Sequence, residues 1–272
     1  MFLLRSLVDI CMILLLIRLL IRPAEAYFDP IYRLIYRLTD PLLIPSKYIT
    51  RDTVKGVLLF LAALVVLRGL IYNAMQPMSI RTGMGLSLLN LVQLVFQGYM
   101  VIWFVSVLSQ GFYRLSFMGM VERAFIPLNR IFRRMGIKKR RFHLSAFLFL
   151  WITYGVVTMI IRYTTMPSPI LSSLPIQYGF GEGLFLILGL FPFPGFFSLV
   201  IIVGALLSWV SPDPSNPIVQ AIYGISEPLL MPFRRFIPVL GGIDISPIVA
   251  LFCFQILGGI GQQIVANLMK AH

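Results

Sequence analysis

The chain has 272 residues, 58% of them hydrophobic and 12% charged, with a net charge of +13 and a mean hydropathy of +0.90. This composition excludes a soluble globular domain and leaves a bundle of membrane helices with little length for anything else. In a soluble protein +13 would suggest nucleic acid; here the placement of the charge between apolar runs carries the information.

Six apolar stretches approach the ~20 residues that cross a bilayer as a helix: about 2–21, 56–72, 88–110, 144–162, 195–210 and 247–269. The first is followed by Ala24-Glu25-Ala26, an A-x-A arrangement of the kind that ends a signal peptide. Arg18 interrupts the run, however, and the span is read as a retained membrane helix. Arg18 has two readings, a charge snorkelling to the cytoplasmic end of its span or a partner for Asp40.

Next, Asp29-Pro30 reads as a helix cap followed by the first helical residue, with Ile31, Leu34, Ile35 and Leu38 forming an apolar stripe. Asp40-Pro41-Leu42-Leu43 then restarts the chain, with Pro45 beyond. In the third span Asn90, Gln93 and Gln97 recur at helical spacing. After it come Glu122, Pro127 and Arg130, then the basic run Arg133–Arg141. Such a cluster beside a span suits anionic lipid headgroups; the absence of interleaved aromatics argues against nucleic acid. From 163 to 194 the sequence reads as an external linker, holding Pro167, Pro169 and Pro175. Its short apolar run, Leu184–Phe191, is expected to lie flat or dip into the outer face.

The last quarter repeats the pattern most fully. Trp209 closes the fifth span, Asn216-Pro217 caps, and Ile218, Ala221, Ile222 and Ile225 make the stripe. Ser226-Glu227-Pro228 restarts the chain, followed by Pro232, Arg234-Arg235, Gly241-Gly242, Asp244 and Ser246-Pro247. The reading is a broken amphipathic hairpin at a membrane surface. In the sixth span Gln255 and Gln262 share a face, with Gly258 and Gly259 expected on the same side for helix packing.

Asp29, Asp40 and Pro45 align with Asn216, Glu227 and Pro232; Glu122, Pro127 and Arg130 align with Glu227, Pro232 and Arg235. The middle copy has Arg123 where the last has Pro228, so its break is not specified. The expected fold is therefore all-α, with about six transmembrane helices in three parallel repeats of helix, amphipathic hairpin and helix. The repeats cover 1–72, 88–162 and 195–270. Seventeen of the 23 basic residues fall in the first, third and fifth loops, which places 22–55, 111–143 and 211–246 in the cytoplasm and both termini outside.

Ser208-Trp209, Asn216-Pro217, Ser226-Glu227-Pro228-Leu229-Leu230, Pro232, Arg234-Arg235, Pro238, Gly241-Gly242, Asp244 and Ser246-Pro247 together resemble the YggT (YlmG) family of small bacterial and plastid membrane proteins. Arg18 matches an Arg common before the Ser-Trp pair in that family, where the last copy has Ala205. The resemblance implies an integral protein of the inner membrane, linked to envelope and division-related organisation, nucleoid distribution and, in plastids, cytochrome maturation. It also implies an association with osmotic-shock tolerance and ion uptake.

Chemistry-bearing constellations are missing from the sequence. His143 and His272 are isolated, no metal-ligand spacing or phosphate loop occurs, and Cys11 and Cys253 lie in apolar spans where packing accounts for them. No catalytic, cofactor or metal residues are expected. The repeated acids Asp40, Glu122 and Glu227 have three readings: helix-start carboxylates, clamps to a basic residue such as Arg235 or Arg130, or a cation ring. The expected function is a non-enzymatic scaffold or assembly factor with a membrane-protein partner; the alternative is a channel or transporter-like protein in the osmotic response.

Overall fold

The computed structural model describes residues 2–27, 29–50, 52–76, 78–108, 118–137, 141–166, 177–210, 213, 215–237 and 244–270. These residues are almost wholly helical, and none is in a strand. The helices are α1 (Phe2–Leu20), α2 (Pro30–Thr39), α3 (Ile44–Lys47), α4 (Thr53–Met75), α5 (Ile80–Leu108) and α6 (Met118–Ala124). They continue as α7 (Ile126–Arg134), α8 (Phe142–Thr165), α9 (Gln177–Leu188), α10 (Phe196–Val210), α11 (Pro217–Phe236) and α12 (Ser246–Lys270).

Four of them, α4, α5, α8 and α12, are long and apolar enough to cross a bilayer by themselves. The chain is an all-α membrane protein. The other two expected spans fall short for different reasons. Helix α1 has 19 residues but carries Arg5, Asp9 and Arg18, whereas α10 is apolar but only 15 residues long.

The chain forms two compact units. The first comprises Met1–Phe96 with Val156–Ile176. Here α1 packs on α4 through Val8, Met12 and Leu15, which meet Val57, Leu61, Leu64, Val65 and Ile71; Leu43 joins the same cluster. In lipid such contacts are held by close packing rather than by expulsion of water. The α4–α5 crossing shows this: a Cβ on Gly83 would stand 2.8 Å from the Gly69 carbonyl oxygen. One turn on, Ser87 Oγ donates to the Val65 carbonyl at 2.6 Å. Arg81 Nε donates to the Thr164 carbonyl at 2.7 Å and so closes the end of α8.

The second unit comprises Gln97–Gly155 and Gln177–His272. Helices α6 and α7 meet at Phe125 and bury Val121, Ala124, Phe125, Leu128 and Phe132. So the middle hairpin does break, before Pro127, although it lacks the proline of the last copy. Gly136, at φ +72°, ends α7, and the Ile137 N–H returns to the Phe132 carbonyl at 3.0 Å.

Part of the expected external linker is a packed element. Helix α9 runs beside α12: a Cβ on Gly181 would meet Met269, one on Gly258 would meet Pro192, and one on Gly261 would meet Leu188. Gln262 Nε2 donates to the Phe185 carbonyl at 3.3 Å, and Gln255 Oε1 accepts from the Phe193 N–H at 3.1 Å. The two amides therefore serve helix packing. Gly259 does not share their side as expected; a Cβ there would meet nothing within 4 Å, whereas Gly261 takes its place one turn along from Gly258. Pro167, Pro169 and Pro175 lie outside the described residues.

Candidate functional site: the interfacial helices and their ion pairs

Helices α2 and α11 begin in the way their sequences dictate. Asp29 accepts from the Ile31 N–H at 2.8 Å and Asn216 from the Ile218 N–H at 2.9 Å, each followed by proline at the first helical position. Asp52 caps α4 in the same manner, at 2.9 Å.

The two hairpins then diverge. After α2 the chain turns at Asp40 into the short 3₁₀ segment Pro41–Leu43 and then α3. The last copy does not restart at Ser226-Glu227-Pro228, contrary to expectation. Helix α11 runs unbroken through Pro228 and Pro232. Each proline costs one backbone hydrogen bond. That loss is tolerated because Pro228 belongs to a buried face with Ser226, Leu229 and Leu230, and α11 packs on both α10 and α12.

The buried positions correspond across the copies. Tyr32 and Val219 are buried, as are Thr39, Val121 and Ser226, and then Leu43, Phe125 and Leu230. The apolar stripes read from the sequence are in part exposed. Leu34 is 52% and Leu38 48% exposed, and Ile218 is exposed as well. A 3.6-residue period marks an apolar face without saying what covers it; on these helices part of that face is left for lipid. Arg33 and Arg37 are exposed beside it, and Arg33 Nη2 donates to the Tyr27 carbonyl at 2.6 Å.

None of the three repeated acids acts as a side-chain cap. Asp40 follows the end of α2, while Glu122 lies within α6 and Glu227 in the middle of α11. Arg18 does not snorkel: its side chain is 4% exposed. Nη2 meets Asp40 Oδ1 at 2.7 Å, Nη1 donates to Thr39 Oγ1 at 2.5 Å, and the guanidinium carbon stands 4.1 Å from the centre of the Tyr36 ring. One cation thus ties the first span to its hairpin through three contacts.

Glu227 is paired too, but with Arg234 rather than with Arg235 or a neighbouring hairpin. Arg234 Nη1 reaches Glu227 Oε2 at 2.5 Å and its Nε reaches Asp244 Oδ2 at 2.7 Å, both at an exposed surface. Asp244 also accepts from the Ser246 N–H at 2.9 Å, which starts α12. Burial works to raise the Asp244 pKa, but the bonds from Ser246 and Arg234 outweigh it and hold it below the ordinary aspartate value. For Arg234 burial is likewise outweighed by its two carboxylates, and its pKa lies above the usual one.

Among the described residues Arg235 reaches Met231 Sδ, at 3.9 Å, and no carboxylate. Glu122 is exposed, and no ion pair among the described residues includes it. Pro45, Pro127 and Arg130 are exposed, as is Trp209, and Pro247 is buried at the start of α12. Gly241 and Gly242 lie outside the described residues, as do Lys138–Arg140 of the basic run.

A further ion pair was not anticipated. Asp9 of α1 meets Arg68 of α4, whose side chain is 1% exposed. The signal was present: a single acid interrupts the first span, and Arg68 continues the α4 stripe Val57, Leu61, Leu64.

Residues 183–265 match the model of the CCB3/YggT family, beginning upstream of the 195 boundary drawn from the sequence. An uncharacterized protein of Pseudomonas aeruginosa is 46% identical over 61 residues, 22% of this chain and 31% of the relative. The uncharacterized protein YggT of Escherichia coli K12 is 40% identical over 58 residues, 21% of this chain and 30% of that one. YlmG homolog protein 2, chloroplastic, of Arabidopsis thaliana is 38% identical over 68 residues, 25% of this chain and 27% of its own. The chain thus spans about a third of the length of these curated relatives. No solved structure matches it. Over this region the chain is similar to the CCB3/YggT family.

Proposed function

We propose that this chain is a non-enzymatic scaffold or assembly factor of the cytoplasmic (inner) membrane, with loops 22–55, 111–143 and 211–246 on the cytoplasmic side and both termini outside. The observation that carries this reading is the common burial of the interfacial helices. Each anchors to its own unit through the same positions, Thr39, Val121 and Ser226 with Leu43, Phe125 and Leu230, and leaves basic residues outward. That arrangement suits a surface held flat against lipid and offered to a second membrane protein, with Arg133, Arg134 and Arg141 toward anionic headgroups.

In-cell photocrosslinking from the exposed Phe236 tests the partner. Reproducible capture of one membrane protein, lost in Arg234→Ala with Arg235→Ala while insertion persists, is expected. Products with lipid alone would reject the assembly role. For the topology, introduced cysteines at 139 and 272 should be labelled from opposite sides, and labelling from one side would reject it.

A second reading, ion movement in the osmotic response, draws on the Asp9–Arg68 pair within a span, since ionisable groups there commonly mark pathways. Against it, the amides Gln255 and Gln262 are engaged in helix packing rather than lining a path.

A further inference from the structure

We propose that Arg68, with Arg5, forms a binding site for a phosphate-type anion at the outer end of the first unit. Arg68 is a buried guanidinium with five donors. Asp9 supplies one carboxylate oxygen to Nη1 and Tyr72 a further side-chain hydrogen bond, which leaves part of the guanidinium's donor capacity unserved among the described residues. A buried charged donor so incompletely served calls for further acceptors. Arg5 stands one helical turn before Asp9, and its guanidinium carbon is 4.8 Å from the centre of the Tyr72 ring; that of Arg68 is 5.7 Å from the same ring. Two cations therefore stand against one aromatic ring, with the Asp9 carboxylate on one of them, and the cluster carries one unbalanced positive charge.

Its depth and its access agree with this assignment. Arg68 lies seven residues before the end of α4, about 10 Å along the axis at 1.5 Å per residue. That is the boundary of headgroups and acyl chains. Arg5 and Asp9 are only half-buried, so the cluster is reached from the α1 side through them, the Arg68 nitrogens themselves being covered. Arg81, at the start of α5, and Arg162, near the end of α8, stand at the same end of the unit and add to its positive potential. The anion is either a free oxyanion or the phosphate of a lipid headgroup.

Thermal unfolding of the full chain in neutral detergent tests the site, with inorganic phosphate against sodium chloride of equal ionic strength in one arm. The other arm compares micelles doped with phosphatidylglycerol or phosphatidylcholine. A rise of several degrees with inorganic phosphate identifies a free-anion site; a rise confined to phosphatidylglycerol identifies a lipid one. In either case Arg5→Gln, which leaves the Asp9–Arg68 pair in place, should lose most of the rise. Asp9→Asn should behave oppositely, melting lower without anion and recovering a larger part with it, because the competing carboxylate is gone. Equal shifts in wild type and Arg5→Gln, no shift in either arm, or an Asp9→Asn protein that anions do not rescue would each overturn the proposal.

Discussion

In the first hairpin Thr39 is buried against Arg18 of α1; in the last, Ser226 is buried against Gly204 of α10, where a Cβ would stand 2.9 Å from Ser226 Oγ. The aligned positions of the spans are Arg18 and Ala205. Where the last copy removes side chains so that α11 lies close on α10, the first fills the gap with a guanidinium and satisfies it there. The acid that follows inherits the difference. Asp40 is held by the span, whereas Glu227, with Ala205 at the position aligned with Arg18, pairs with Arg234 of its own helix. A repeated residue need not repeat its partner: the neighbour's size decides which cation can reach it.

The largest effect is expected where the contact is buried. Arg18→Gln should cost roughly 1.5–3 kcal/mol, the worth of hydrogen bonds to a charged group, since Asp40 remains half-exposed and keeps water. Asp40→Asn should cost less than Arg18→Gln because its side is the wet one. Thermal unfolding in detergent measures both, and an Arg18→Gln protein that melts like wild type would restore a snorkelling arginine. The corresponding change in the last copy works by volume. Gly204→Ala should lose about 1–2 kcal/mol through overpacking against Ser226, and Ser226→Gly should recover part of it. Full additivity of those two changes would mean that α10 and α11 are not held by this approach.

The sequence made the local chemistry plain. The caps at Asp29 and Asn216 depend on one side chain and the next two residues, and both form as read. What it did not carry was the environment of each face. Ile31, Leu34, Ile35 and Leu38 have helical spacing whether lipid or protein covers them, so the stripe could be found but not assigned. Pro228 reads as a stop by backbone chemistry alone; the packing that carries α11 through it comes from the flanking helices α10 and α12, which local sequence around the proline does not show. Asp9 and Arg68 are separated by most of the first repeat, and only the α1–α4 register brings them together.

The smallest effect belongs to the exposed triad, and it decides whether the acid of the last copy is a true counterpart of Asp40. At that surface Glu227→Gln should cost only about 0.2–1 kcal/mol, as for other solvent-screened pairs. The cycle of Glu227→Gln with Arg234→Gln should be non-additive, while the cycle with Arg235→Gln should be additive, because Arg235 touches Met231 instead. Acid provides a second handle through Asp244. Its folded pKa lies below 3.8, so its stabilising contribution is complete above the unfolded value and disappears as the pH falls through the folded one. Arg234 remains charged throughout that range, so Arg234→Gln should flatten the acid limb of the stability curve only in part: the Ser246 bonds that also hold Asp244 down survive the change. If Arg235→Gln flattened that limb as much as Arg234→Gln, the triad would not be the unit that joins α11 to α12.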